Sequence, residues 1–184
     1  MLGNDIVDLQ LAAKQSNWRR KRYLQKIFTS QEQELIANAT DQDQMVWLLW
    51  SMKEAAYKIV SPLIGERFYR PKSFECTPSN PGYQLNGKVV YEEFSFETVS
   101  EMTENYINTT AIAEHNRKID HYIFHNPKTY IKDFNELSHH FMLIKNEVNL
   151  PTIQDLFTEE FFPASVSHHG RYVSIVHPNQ FEPV

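Results

Sequence analysis

The stretch from Gln42 to Val60 constrains this chain most. Leu48, Met52, Ala55 and Ile59 recur at helical spacing as one apolar stripe, whereas Trp50, Glu54 and Lys58 fall at i, i+4 and i+8 on another face. Asp41 supplies an N-cap and Ser61-Pro62 a stop, so the pattern predicts one long helix over Gln42–Val60. Such a helix must bury its stripe against another layer. The residues after it say which layer: Ser73–Thr77, Gln84–Tyr91, Glu93–Val99 and Tyr106–Glu114 are rich in β-branched and aromatic residues. Helices come early and strands late. The expected class is therefore α+β, an antiparallel sheet packed against the long helix, in a single domain spanning 1–184.

Shorter signals fill in the rest. Leu2–Leu9 reads as a strand, in which Asp5 and Asp8 point to opposite faces, so only one of them serves a given cleft. Trp18–Phe28 reads as a basic amphipathic helix with Tyr23, Leu24, Ile27 and Phe28 as its apolar stripe. Thr29-Ser30-Gln31-Glu32-Gln33 offers two overlapping capping boxes ahead of a short helix, Gln31–Ala39. Pro78–Gly82 and Asn86-Gly87 read as turns, the second as a hairpin. His139–Glu147 is ambiguous between helix and strand, and Pro163–Val176 reads as a strand, a turn or helix start, and a strand.

Composition excludes several classes of function. Acidic residues outnumber basic ones, 23 to 18, which disfavours a nucleic-acid binder. The local cluster Trp18–Tyr23 is either a solvated face or a patch for phosphate or an acidic protein. Cys76 is the only cysteine, so there is neither an intrachain disulfide nor a thiolate metal site. Without a basic leader or a long apolar run, the expected location is cytoplasmic, away from membranes.

Taken alone, Glu54 and Lys58 read as an exposed helix ion pair contributing ~0.3–0.5 kcal/mol, and His168 as a surface histidine in a turn. Their surroundings say more. Trp50-Ser51-Met52-Lys53-Glu54-Ala55-Ala56-Tyr57-Lys58 resembles the aromatic-x-x-Lys-Glu-Ala-x-x-Lys motif of 4′-phosphopantetheinyl transferases, and Gly3-Asn4-Asp5 resembles their Gly-x-Asp at the expected separation. Val166–Tyr172 is similar to the Ser-His-x-x-x-Tyr element of the same superfamily. The order of the three within one short chain is that of the holo-acyl-carrier-protein synthase subfamily. The resemblance covers about Met1–Glu75 and Phe141–Val176 and leaves approximately 76–140 as an inserted, β-rich segment on a single lobe.

The resemblance implies a reaction and roles. A carrier-protein serine attacks the β-phosphorus of coenzyme A and expels 3′,5′-ADP, a step in which charge on the diphosphate is met by Mg²⁺ and cations. Asp5 and Glu54 match the metal ligands. Lys58 and Lys53 match lysines that contact the diphosphate. Glu54 is also the candidate base, acting directly or through a metal-bound water. His168 matches a contact to the nucleotide 3′-phosphate, with Ser167 as a second donor. The implied partners are coenzyme A and an apo acyl or peptidyl carrier protein, as in fatty acid biosynthesis. Because one lobe does not close the cleft found in larger relatives, a homotrimer or other homo-oligomer is expected, with His168 completing a neighbour's site.

The chain departs from the pattern at three positions. Val7 stands where larger relatives carry a third acidic ligand, and Leu11 and Leu49 stand where basic residues are common. Arg19, Arg20 or Arg22 then become candidates for carrier docking. Two other readings compete with transfer: a silent module that binds carrier or coenzyme A, and a Mg²⁺ enzyme that cleaves a diphosphate with water.

Overall fold

In a computed structural model of the chain, residues 1–65, 68–79, 84–113 and 118–179 are described. The long helix is there as α4, Gln42–Ile64, capped by Asp41, whose carboxylate accepts from the Gln44 amide at 3.0 Å. It does not halt at Ser61. Pro62 lies within the last turn, and the helix ends at Gly65, which takes the left-handed conformation at φ 77°. A proline's missing N–H and its clash fall on one carbonyl, that of the residue four before it. Here that carbonyl belongs to Lys58, and the last turn continues past it.

Five strands form the layer beneath α4: β1 (Leu2–Asp8), β2 (Glu75–Pro78), β3 (Gln84–Tyr91), β4 (Phe94–Met102) and β5 (Tyr106–Ile112). Their order is β1-β5-β4-β3-β2, all antiparallel. Leu48, Leu49, Met52, Ala55, Ala56 and Ile59 of α4 are buried with Val7, Val89, Phe96, Ile107 and Ala111 in one core. The stretch 76–140, expected to be an insertion, carries β3, β4 and β5, and in this fold it is the body of the main sheet.

Asn86-Gly87 is no hairpin. Both lie inside β3, and the turn falls instead at Glu92-Glu93 between β3 and β4, with Glu92 at φ 51°. A Cβ at Gly87 would lie 2.7 Å from Met52 Cε, so this glycine lets the sheet approach α4. Pro78–Gly82 lies partly outside the described residues.

The segment before α4 also differs from expectation. Asp8 ends β1 and caps a helix the sequence did not suggest, α1 (Leu9–Gln15). Trp18–Arg22 is not helical: Arg22 has φ 69°, and only α2 (Tyr23–Ile27) follows. Trp18 is buried, its Nε1 donating to Asp43 at 2.6 Å. A third helix, α3 (Ser30–Asn38), begins with one capping box, Thr29 with Glu32. Gln33 instead donates to the Phe28 carbonyl.

The C-terminal half adds β6 (Ile119–Phe124), α5 (Tyr130–Leu137), β7 (Phe141–Lys145), β8 (Pro151–Asp155), β9 (Phe161–Pro163), β10 (Ser165–His169) and β11 (Tyr172–Pro178). Two small sheets result, β10-β11-β6 and β7-β8-β9. Phe134, Phe141, Leu143, Ile153, Val173 and Ile175 form a second core between them. The hairpin of β10 and β11 lies against β1 and clasps it at both ends. Asn4 is tied to Ser165 and Ser174, and Asp8 to Arg171 through Nε at 2.9 Å and Nη2 at 3.0 Å.

Candidate active site

Alternation along β1 sends Gly3, Asp5 and Val7 toward α4, and Asn4, Ile6 and Asp8 to the other face. Gly3 lies on the backbone of Ala55, so Asp5 comes beside the next turn of α4. Glu54 and Lys58, one helical turn apart, meet it there. Lys58 Nζ is 3.9 Å from Asp5 Oδ1 and donates to the Asn4 carbonyl at 2.6 Å and the Val166 carbonyl at 3.5 Å. The ammonium is thus steered from three sides.

The electrostatics fit a cation better than an empty cleft. Burial pushes the Asp5 carboxyl up to about 6 against the pull of Lys58. Burial, then the nearby Asp5 charge, pushes Glu54 up to about 7. Lys58 is lowered by burial, though both carboxylates oppose this. One lysine therefore leaves two desolvated carboxylates short of positive charge. They are hard oxygen donors of the kind that hold Mg²⁺ together with phosphate and water. Val7 is buried at 4% exposure and contributes no ligand. Among the described residues no cluster of three or more histidine, cysteine or acidic side chains forms a metal site.

Lys53, expected at the diphosphate, borders the cleft beside Glu54, but its ammonium is paired inside the core. Its side chain is 1% exposed, and Nζ donates to Glu32 Oε1 at 2.7 Å and to the Phe74 carbonyl. Glu32 also accepts from the Cys76 amide at 2.8 Å. Lys53 thus joins α3, α4 and β2 from inside the core. Leu49, where a basic residue was expected, is fully buried on the same side.

Ser167 and His168 differ in their surroundings. They are neighbours on β10 and face opposite ways. Ser167 is buried, its hydroxyl without a hydrogen-bond partner among the described residues, whereas His168 is exposed. His169, which the sequence left without a role, accepts from the Asp8 amide through Nδ1 at 2.9 Å. Arg19 is bound to Asp43 at 2.9 Å and 3.1 Å and stacks on Trp18, and the Arg20 guanidinium lies over the Tyr23 ring at 5.2 Å.

A cleft of about 150 Å³ is lined by Lys53 and Glu54 of α4 together with Tyr57, Phe68, Tyr69, Arg70, Pro71 and Phe74. Tyr57 meets Phe68 edge-on at 5.2 Å, and Phe68 stacks on Phe74 at 6.1 Å. Tyr69 is 72% exposed at its mouth. Its phenol is pushed up by burial and by the Glu54 charge. The aromatic alternation of Phe68, Tyr69 and Phe74 was the unused signal.

The sequence profile of the 4′-phosphopantetheinyl transferase superfamily (ACPS) matches residues 1–111, a range that contains both β1 and α4. The chain belongs to the 4′-phosphopantetheinyl transferase superfamily. Membership in this superfamily supports phosphopantetheine transfer as the general activity, with coenzyme A as the substrate. Among solved structures, the holo-[acyl-carrier-protein] synthase of Thermotoga maritima is similar at 12% identity and a TM-score of 0.48, over 82% of this chain and 83% of that one. No curated protein sequence matches the chain. Among the described residues no helix of this superfamily member is long and apolar enough to cross a membrane.

Proposed function

We propose that this chain transfers 4′-phosphopantetheine from coenzyme A to a serine of an apo acyl or peptidyl carrier protein, with Mg²⁺ held by Asp5 and Glu54. The observation that carries this reading is the meeting of Asp5, Glu54 and Lys58 where β1 crosses α4. The serine oxygen forms a bond to the β-phosphorus, the bond from that phosphorus to the 3′,5′-ADP oxygen breaks, and the serine proton leaves to a base. Glu54, whose carboxyl is raised to about 7 by its surroundings, is the candidate base for that proton. Lys58 holds its ammonium toward the same point and meets the diphosphate charge. Bound to the two carboxylates, Mg²⁺ supplies further positive charge to the diphosphate.

The cleft beside Glu54 suits the rest of the coenzyme. Tyr69 and Phe68 offer flat faces to a base, and Arg70 offers a fork to phosphate. His168, exposed on β10, is the candidate for the 3′-phosphate. For the carrier, Arg20, Lys21 and Arg22 form the cationic surface an acidic helix would meet. We further propose that a second copy of the chain closes the site as a homo-oligomer. Sedimentation at 21.7 kDa alone would refute that assembly.

The experiment is the intact mass of an apo acyl carrier protein incubated with this protein, coenzyme A and Mg²⁺. The expected result is a gain of one phosphopantetheine that disappears in Asp5→Ala and in Glu54→Ala. Coenzyme A binding without any gain, on acyl and peptidyl carriers alike, would overturn transfer in favour of a binding module.

A further inference from the structure

β1 and β10 are edge strands of two different sheets, and among the described residues no backbone ladder joins them. Side chains of β10 join them instead. The Asn4 backbone amide donates to Ser165 Oγ at 3.1 Å, and the Asp8 backbone amide to His169 Nδ1 at 2.9 Å. Four positions separate these rungs on either strand, so the two strands run side by side in the same direction. Between the rungs lies Lys58 Nζ, which donates to the Asn4 carbonyl of β1 and the Val166 carbonyl of β10. The register of this seam therefore sets where the ammonium sits.

The two rungs differ in chemistry. Ser165 holds its end with a hydroxyl, whereas His169 holds the other with a ring that titrates. A backbone N–H only donates, so His169 Nδ1 carries no proton and the neutral ring bears its hydrogen on Nε2. Protonating Nδ1 would set one N–H against another. The Asp8 carboxylate does not take over the new proton, because Gln10, Leu11 and Arg171 already donate to it. The charged and titratable groups around the ring are Asp8 of β1, Arg171 of the turn and His168 of β10. Its ladder partner on β11 is Tyr172, whose ring meets Tyr106 and His125. Burial, opposed by the Asp8 charge and helped by that of His168, holds His169 below its usual 6.5.

We propose that His169 is a positioning residue of the candidate active site: its neutral ring latches β10 onto β1, keeps the Val166 carbonyl on Lys58, and releases when protonated. The part given to Lys58 rests on the transfer reading above, whereas the latch itself does not. Arg171 keeps the hairpin attached to Asp8 when the latch opens, so register is lost and not the hairpin. Because the fold favours the neutral ring, the latch is complete above about pH 6.5 and weakens as pH falls below it.

The test follows the full isotope-labelled chain by NMR from about pH 8 down to about pH 5, the range in which a histidine titrates. At the upper end His169 Nδ1 should resonate as an unprotonated nitrogen. As the ring gains its proton, the exchange protection of the Asp8 amide should fall about tenfold with the same midpoint, one hydrogen bond being lost. The Asn4 amide, held by Ser165, should not follow. Asn and Leu branch alike, neither titrates, and only Asn offers an acceptor. His169→Asn should keep the Asp8 amide protected across the range, and His169→Leu should leave it unprotected throughout. In the upper range His169→Leu should also shift the Lys58 Cε signal and slow transfer about tenfold, and His169→Asn should restore both. An Asp8 amide indifferent to the ring, a proton on Nδ1 in the upper range, or equal transfer by the Asn and Leu variants would each overturn the proposal. Should the variants fail to fold, the titration of the unaltered chain decides. If even that chain modifies no carrier, the transfer reading fails, and the Asp8 and Lys58 signals still decide the latch.

Discussion

Gly3 and Ala55 touch so closely that a Cβ on residue 3 would fall 2.2 Å from the Ala55 carbonyl oxygen. The glycine of Gly-x-Asp and the alanine of Lys-Glu-Ala are thus one contact. Each lies next to the residues it serves, Asp5 two positions on and Glu54 one position back. The absence of a side chain at Gly3 sets the height of β1 above α4, and with it the gap between the two carboxylates.

Gly3→Ala should therefore destabilise the protein by about 1–3 kcal/mol through overpacking and weaken Mg²⁺ binding in the fraction that folds. Gly87→Ala makes a useful contrast, because its new Cβ meets the movable end of Met52 at 2.7 Å and the Thr98 hydroxyl at 2.9 Å rather than helix backbone. Urea denaturation and calorimetric Mg²⁺ titration distinguish them. Equal losses in both variants would show that the Gly3 contact has no special part in the site.

Asp5 at about 6 and Glu54 at about 7 both lie above ordinary carboxylate values, so the folded chain holds these protons more tightly than the unfolded chain. Their contribution to stability is full below about pH 4 and is lost as pH rises through 6 to 7. Mg²⁺ should restore what ionisation removes, raising Tm more at pH 8 than at pH 5. Thermal melts with and without Mg²⁺ across this range read it directly. The Mg²⁺ effect should vanish in Asp5→Asn.

Asp8 behaves oppositely. Hydrogen bonds from Arg171 hold its carboxyl down to about 2, so its stabilisation is present above about pH 4 and fades as pH falls toward 2. Asp8→Asn should flatten the acid limb of the stability curve. It should also lower stability at neutral pH by about 1–3 kcal/mol, since it loses a charged partner for Arg171.

Two neighbouring lysines of α4 should part company. Lys53→Met leaves Glu32 buried without its cation and should cost about 3–5 kcal/mol of stability, while the folded fraction keeps its transfer rate. Lys58→Met, which loses the bond to the Asn4 carbonyl but whose carboxylate neighbours can take up protons, should cost only about 1–2 kcal/mol and abolish transfer. Denaturation curves beside intact-mass rates give both readouts.

The comparison of Lys53 with Lys58 shows what was legible in the sequence. Motif order singled out Asp5, Glu54 and Lys58, and the fold brings the three together because the contact of β1 with α4 is built into the motifs. Lys53 carries the same letter of the same motif, but only the fold reveals Glu32 and Phe74 waiting for it. Asn86-Gly87 misled for a similar reason: a glycine needed for clearance against Met52 looks locally like one needed for a turn. Trp18–Phe28 had a helical stripe, yet Trp18 is drawn to Asp43 and Arg22 adopts a left-handed backbone, and tertiary contacts overrode the period. Conversely, α1 could have been anticipated from Asp8 preceding Leu9–Gln15, a cap hidden because Asp8 was read as a strand residue.

The clasp of Asn4 and Asp8 by the β10–β11 hairpin joins residues separated by more than 160 positions. During synthesis, β1 emerges before its pairing partner β5 (Tyr106–Ile112) and long before the hairpin that clasps it. β1 is thus unpaired until β5 emerges and unclasped until the hairpin follows, open to wrong partners in between. Its maturation is governed by the last strands to emerge, so truncation within Ser165–Pro178 should silence the site from the opposite end of the chain while leaving α4 and the core of the main sheet in place.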